Sequence, residues 1–198
     1  MSFDIAIIAA VGANFTSIQA ALKRQKVSSI VTNDPSVIVN AKGVILPGVG
    51  NAKYAMSEIY KQGLNDVIKS LTQPVLGICL GQQLLCSFSE EGDVPCLDII
   101  PLRVARIQNV RVVPHNGWNS LKQIKNDSLL FGIDKHDDFY FVHSFAPLAV
   151  ADYTVATCAY GNEFATIIKK DNFYGVQFHP EKSGDVGERL LMNFINKL

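Results

Sequence analysis

Neither sign of charge is in excess: 18 Lys and Arg balance 18 Asp and Glu. No basic field is available to draw in nucleic acid or an anionic membrane surface, so neither partner is expected. Long apolar runs are missing too. No uncharged segment approaches the roughly 20 residues a membrane span needs. The opening "MSFDIAIIAAVGANF" carries Asp4 where a signal peptide would carry basic residues, and a cytoplasmic chain is expected. Cysteine is scarce and scattered: Cys79, Cys86, Cys96 and Cys158 include no C-x-x-C pair, which removes the zinc-ribbon and dithiol readings. There is no H-E-x-x-H spacing, so no catalytic metal is expected, and no cofactor. The glycine-bearing "VILPGVGNA" lacks the G-K-[ST] of a phosphate cradle and the third glycine of a dinucleotide fingerprint. No repeat or low-complexity linker divides the chain.

What is present is enough apolar residue, 48% of 198, to fill one domain covering residues 1–198. "DIAIIAA", "GVILPGVG" and "PVLGIC" are apolar on both faces and each is followed by helical spacing, the pattern of a parallel sheet covered by helices. From about Pro101 the pattern changes to β-rich runs broken by Gly, Asn, Asp and Pro, among them "DFYFVHSF", "YTVATCAYG", "EFATIIKK" and "NFYGVQFH". The expected fold is α/β: an open mixed, largely parallel sheet flanked by helices, with additional antiparallel strands in the second half. Val186, Leu190, Leu191, Phe194 and Ile195 recur at helical spacing and predict a closing amphipathic helix. Ligands of such sheets bind at the carboxyl ends of the strands.

At one of those ends stands Gly77-Ile78-Cys79-Leu80-Gly81, the thiol counterpart of the G-x-S-x-G elbow, in which a nucleophile occupies a strained strand-to-helix turn. The glycines remove Cβ atoms that would block the turn. Leu80, Leu84, Leu85 and Phe88 then predict one apolar helical face, with the sulfur at the helix N-terminus, where unpaired N–H groups favour thiolate. The plain alternative is a core cysteine between two packing glycines.

A base decides between them. "FYGVQFHPEKS" ends a strand in His179-Pro180-Glu181. Pro180 disfavours helix at His179, and residues two apart in an extended chain project to one side, so Glu181 can orient the imidazole while the other ring nitrogen faces a nucleophile. His136 lies in a polar turn, and His115 and His143 have no carboxylate two residues on, which makes them weaker bases. The loop Pro47-Gly48-Val49-Gly50 can turn its N–H groups, beside that of Leu80, toward the same edge as an oxyanion hole, or be an ordinary strand-helix turn.

G-I-C-L-G with Gln83, the L-P-G-V-G loop and the late H-P-E, in that order, resemble the class I (triad) glutamine amidotransferases. "SEEG", "VPHNGWNS", "FYFVHSF" and "HPEKS" further resemble the glutaminase subunits of imidazole glycerol phosphate synthases, over almost the whole chain. The resemblance implies a Cys79–His179–Glu181 triad that cleaves L-glutamine through a thioester. It also implies substrate contacts from Gln83, Glu91 and Ser144, and an oxyanion hole at Val49, Gly50 and Leu80. The implied partner is a (β/α)8-barrel cyclase that takes the ammonia, with Asn14 and Lys182 facing it. Three stretches depart from the pattern: Ala9-Ala10-Val11-Gly12-Ala13-Asn14 replaces D-Y-G-x-G-N, Asn116 interrupts P-H-M-G-W-N, and Phe145 stands in H-S-Y. These leave open a paralogous glutaminase feeding a sugar amidotransferase, and, from another class, a catalytically silent binding module.

Overall fold

A computed structural model describes residues 3–198. In chain order the strands are β1 (Ile5–Ile8), β2 (Ser29–Thr32), β3 (Gly43–Gly48), β4 (Val75–Cys79), β5 (Cys86–Ser89), β6 (Val94–Pro95), β7 (Ile100–Arg106), β8 (His115–Ser120), β9 (Gln123–Ile124), β10 (Asp138–His143), β11 (Phe145–Pro147), β12 (Thr154–Tyr160), β13 (Asn162–Lys170) and β14 (Phe173–Val176). The helices are α1 (Phe15–Arg24), α2 (Pro35–Asn40), α3 (Ala52–Lys61), α4 (Leu64–Lys69), α5 (Leu80–Leu85) and α6 (Gly184–Ile195).

The main sheet has eight strands in the order β2-β1-β3-β4-β14-β13-β12-β9. From β2 to β14 every neighbouring pair is parallel, and from β14 outward every pair is antiparallel. The division follows residue type. β1, β3 and β4 are buried along their whole length, as strands covered on both faces must be, whereas the later strands are joined by tight turns. Two smaller sheets, β10-β8 and β11-β7-β5-β6, stand against it. The closing helix forms as expected: Leu190, Leu191 and Phe194 of α6 are buried in one of the two apolar clusters. No helix among the described residues is long and apolar enough to cross a membrane.

One expectation is corrected. The helix after Cys79 stops at Leu85, and Phe88 lies on β5, where Arg103 covers its ring 4.4 Å from the centroid. Backbone bonds from Leu97 to Leu84 and from Ile99 to Leu85 capture the last carbonyls of the helix, so the chain turns directly into a strand. The elbow glycines act as expected, since side chains there would collide with backbone. A Cβ on Gly81 would fall within the van der Waals radius of the Leu46 carbonyl on β3, and one on Gly77 would lie 2.8 Å from the backbone of Gly81 and Gln82. What they permit is close approach of α5 to β3 and β4.

Gly81→Ala should therefore push α5 off β3 and destabilise the fold by about 3 kcal/mol. Gly12→Ala, whose Cβ meets nothing within 4 Å, should change stability by less than about 0.5 kcal/mol. Urea unfolding of the two variants checks this; equal midpoints would contradict the packing account.

Candidate active site

Cys79 ends β4 and caps α5 with φ 55° and ψ −110°, a backbone conformation that a non-glycine residue rarely adopts. Such a conformation costs on the order of 1–3 kcal/mol and persists only where the surroundings dictate it. Here they do, because β4 on one side and the glycine-packed α5 on the other leave no alternative path. The thiol is directed into a cavity of about 280 Å³ whose wall also holds Val49, Gly50, Leu80, Gln83, Glu91, Ser144 and His179.

Sheet register explains why His179 arrives there. β14 runs parallel to β4 with Val176 opposite Ile78, so the residues following β14 emerge beside Cys79. The His179 N–H donates to the Tyr140 carbonyl at 2.9 Å, and the Ser183 hydroxyl donates to the His179 carbonyl at 2.7 Å. Glu181 does reach the ring, at 2.8 Å from Nδ1, but by a different geometry from the one expected. Pro180–Lys182 is a 3-10 turn, with His179 itself extended and Pro180 at the first helical position. The proline blocks helix at His179 and starts one after it.

Because the carboxylate accepts from Nδ1, the nitrogen left facing the cavity is Nε2, buried and without a hydrogen-bond partner among the described residues. Burial opposes charge on this imidazole, but the neighbouring Cys79 sulfur and the Glu181 carboxylate together outweigh it, and the pKa rises to about 9.

The other expected residues divide. Gln83 is buried, and its Nε2 donates to the Phe145 carbonyl at 2.8 Å and to Gln177 Oε1 at 3.0 Å. Ser144 lines the cavity directly. Glu91 lines it too, with Oε2 accepting from the N–H of Ala52 at the start of α3; burial raises its pKa and that bond partly offsets the rise. Leu80 N–H belongs to the unpaired first turn of α5. Val49 is the exception. Its N–H donates to the Gly12 carbonyl at 2.8 Å, so in this conformation it is not available to an oxyanion, while Gly50, at φ 101°, supplies the bend. Asn14 is exposed and caps α1 by accepting from the Ser17 N–H at 3.2 Å. Lys182 is exposed with Nζ 5.8 Å from the centre of the Tyr140 ring, next to Trp118, which is 57% exposed.

His143 and His115, expected to be weaker bases, pair with each other. Burial removes charge from both, lowering His143 to about 3 and His115 to about 4. The Phe145 carbonyl can only accept, so the His143 proton sits on Nδ1, and its bare Nε2 accepts from His115 Nδ1–H at 3.1 Å. The alternation in "DFYFVHSF" carried a signal for this: Phe139, Phe141 and His143 share one buried face of β10.

The family description "Glutamine amidotransferase class-I" matches residues 7–198. The chain belongs to the class-I glutamine amidotransferases. Among amidotransferases of this class it is 49% identical over 194 residues to the imidazole glycerol phosphate synthase subunit HisH 2 of Legionella pneumophila strain Lens, covering 97% of each chain. It is 46% identical to the HisH subunit of Idiomarina loihiensis, again covering 97% of each. A solved glutamine amidotransferase superposes with a TM-score of 0.77 over 98% of this chain and 97% of its own, at 18% identity, which establishes the shared fold.

In this amidotransferase Glu181→Gln should bring the His179 midpoint down from about 9 toward the ordinary 6.5, as followed by NMR of the imidazole Cε1 proton. A folded-state pKa raised above 6.5 stabilises the protein fully below that pH, and the contribution disappears as pH rises through about 9. Wild type should thus exceed the variant by about 1–2 kcal/mol at pH 6, with the gap closing above pH 9. An unmoved midpoint would mean that Glu181 does not set the charge of the ring.

Proposed function

We propose that this chain, as a single amidotransferase domain spanning 1–198, is the glutaminase subunit of an imidazole glycerol phosphate synthase. The observation that carries the reading is the meeting of the Cys79 elbow with His179 and its Glu181 partner on one cavity, at the small end of the range for ligand pockets and suited to one amino acid. The likeness to HisH subunits over 97% of the chain supports the assignment of pathway.

In this reading the Cys79 thiolate attacks the side-chain carbonyl carbon of glutamine, and the imidazolium of His179 gives its Nε2 proton to the departing nitrogen. Ammonia leaves and a glutamyl thioester remains. The neutral imidazole then takes a proton from water, the resulting hydroxide displaces sulfur as thiolate, and the product leaves as glutamate once its new carboxyl group gives its proton to solvent, with thiolate and imidazolium restored. Glu181 keeps the Nδ1 proton in place throughout. Gln83, Glu91 and Ser144 are the groups for the polar ends of the substrate.

The oxyanion that forms on the carbonyl oxygen needs donors. Leu80 N–H offers one, and the second requires the Gly48–Val49 peptide to turn away from Gly12. The Ala9–Asn14 segment, which departs from the motif pattern the rest of the chain resembles, thus holds the oxyanion loop through Gly12.

Ammonium lacks the lone pair that a second reaction needs, so the ammonia is passed directly to a (β/α)8 cyclase subunit in the cytoplasm. Trp118, Tyr140 and Lys182 form an exposed aromatic and cationic surface for it, and Asn14, exposed at the start of α1, is the other residue assigned to that contact. A second reading, a glutaminase serving a sugar amidotransferase, rests on the departures from the motif pattern, of which Asn116 lies within that surface and accepts from the Tyr140 hydroxyl at 2.9 Å.

With the organism's own cyclase, Cys79→Ala should abolish glutamine-dependent formation of imidazole glycerol phosphate and leave the ammonia-dependent reaction intact. Retained glutamine use would sink the nucleophile assignment. Failure of the wild-type pair to make the product from glutamine would move the chain to the second reading.

A further inference from the structure

The mechanism leaves Gln177 without a role, although it is completely buried and lies one step past the last register pair of β14 and β4, beside Cys79. Its Nε2 stands 3.8 Å from Cys79 Sγ, within reach of an N–H···S bond. The direction of that bond is fixed by its neighbours. The Phe145 carbonyl is an acceptor only, so the group Gln83 presents to it is the amide nitrogen. That nitrogen has a second proton, which goes to the Gln177 carboxamide oxygen at 3.0 Å. With its oxygen occupied, Gln177 must turn its NH₂ toward sulfur. A flipped Gln177 would set two NH₂ groups against each other and point an oxygen at the thiolate.

A donor is needed at this point. α5 has six residues, too short to lend the sulfur much helix dipole; of the other polar groups around it, the Val142 carbonyl at 4.0 Å can only accept, and His179 Nε2 makes no hydrogen bond. We propose that Gln177 holds the Cys79 thiolate: its side-chain N–H, oriented through Gln83 from the Phe145 carbonyl, donates to the sulfur in the resting and product-release states. The proposal rests on Cys79 being the nucleophile. The titratable groups facing the sulfur from the surrounding elements are His179, backed by Glu181 from the turn after β14, His143 on β10, and Glu91 on the wall of the cavity. Gln177 adds to them a neutral donor whose strength does not change with pH.

The test is the pH profile of Cys79 alkylation by iodoacetamide in the full chain, read by peptide mass spectrometry. Cys86, Cys96 and Cys158 are buried and serve as internal reporters of unfolding. Gln177→Met keeps the length and removes the donor, and Gln177→Glu substitutes an acceptor. Each should raise the midpoint of the labelling profile by about one pH unit and so slow labelling about tenfold at pH values below the wild-type midpoint, with the three reporters unlabelled. A folded Gln177→Met variant with the wild-type midpoint overturns the proposal, because a glutamine that merely fills space would leave the midpoint where it was. Should the variants unfold, the wild-type protein decides. The Gln177 side-chain amide resonances should titrate with the midpoint of Cys79 labelling and lose that titration in Cys79→Ser; resonances that do not move overturn the proposal. A wild-type Cys79 that labels no faster than the three buried thiols would instead bring down the nucleophile reading itself.

Discussion

The closeness of α5 to β3 and β4 is the constraint on which the site depends. With glycine at 77 and 81, the helix backbone settles onto the Leu46 carbonyl and the β4 backbone with no side chain between them. The chain must then reverse within one residue, and Cys79 takes the whole strain at φ 55° and ψ −110°. The sulfur is directed off the sheet edge as a geometric consequence. Close packing holds a conformation that would relax in isolation, and cores deform little, so its position is fixed to within the tolerance that proton transfer and attack require.

Around the sulfur, polarity is assigned by a few acceptor-only atoms. The Phe145 carbonyl receives both the His143 Nδ1 proton and a Gln83 amide proton. From that oxygen the direction of every bond runs outward, to His115 on one side and through Gln83 to Gln177 on the other. The three histidines thereby separate. His143 and His115, dry and without carboxylate partners, fall to about 3 and 4 and stay neutral, while His179 rises to about 9. Environments that drive like groups this far apart leave one of them to carry charge and protons and make the others structural.

The parts of this arrangement visible in the sequence are those written in local chemistry. Apolar runs on both faces gave away β1, β3 and β4, the spacing of Leu190, Leu191 and Phe194 gave away α6, and G-I-C-L-G and H-P-E marked the two halves of the site. β2, β5, β6, β8 and β9 were harder to read because they are short or half-exposed. The helix expected to continue through Phe88 stopped at Leu85 because Leu97 and Ile99 take its final carbonyls, a tertiary effect that side-chain spacing cannot encode. Gln177 was hidden for the same reason: a glutamine before F-H-P-E has meaning only once β14 lies against β4.

In the proposed reading, nucleophile and oxyanion hole are prepared to different degrees. Sulfur, imidazole and carboxylate stand assembled, whereas the Val49 N–H is still bound to Gly12. Releasing one backbone hydrogen bond costs about 1 kcal/mol, while a missing oxyanion donor costs about 3–4 kcal/mol of barrier, a factor of 10² to 10³ in rate. A small bias on the Gly12 loop therefore controls a much larger effect on glutamine cleavage. The bias acts on a segment at the carboxyl edge of the sheet, between β1 and the Asn14 cap of α1, where contact with a second subunit can apply it. A glutaminase arranged in this way can bind substrate with its triad complete and wait, so that ammonia is made when the site that consumes it is filled.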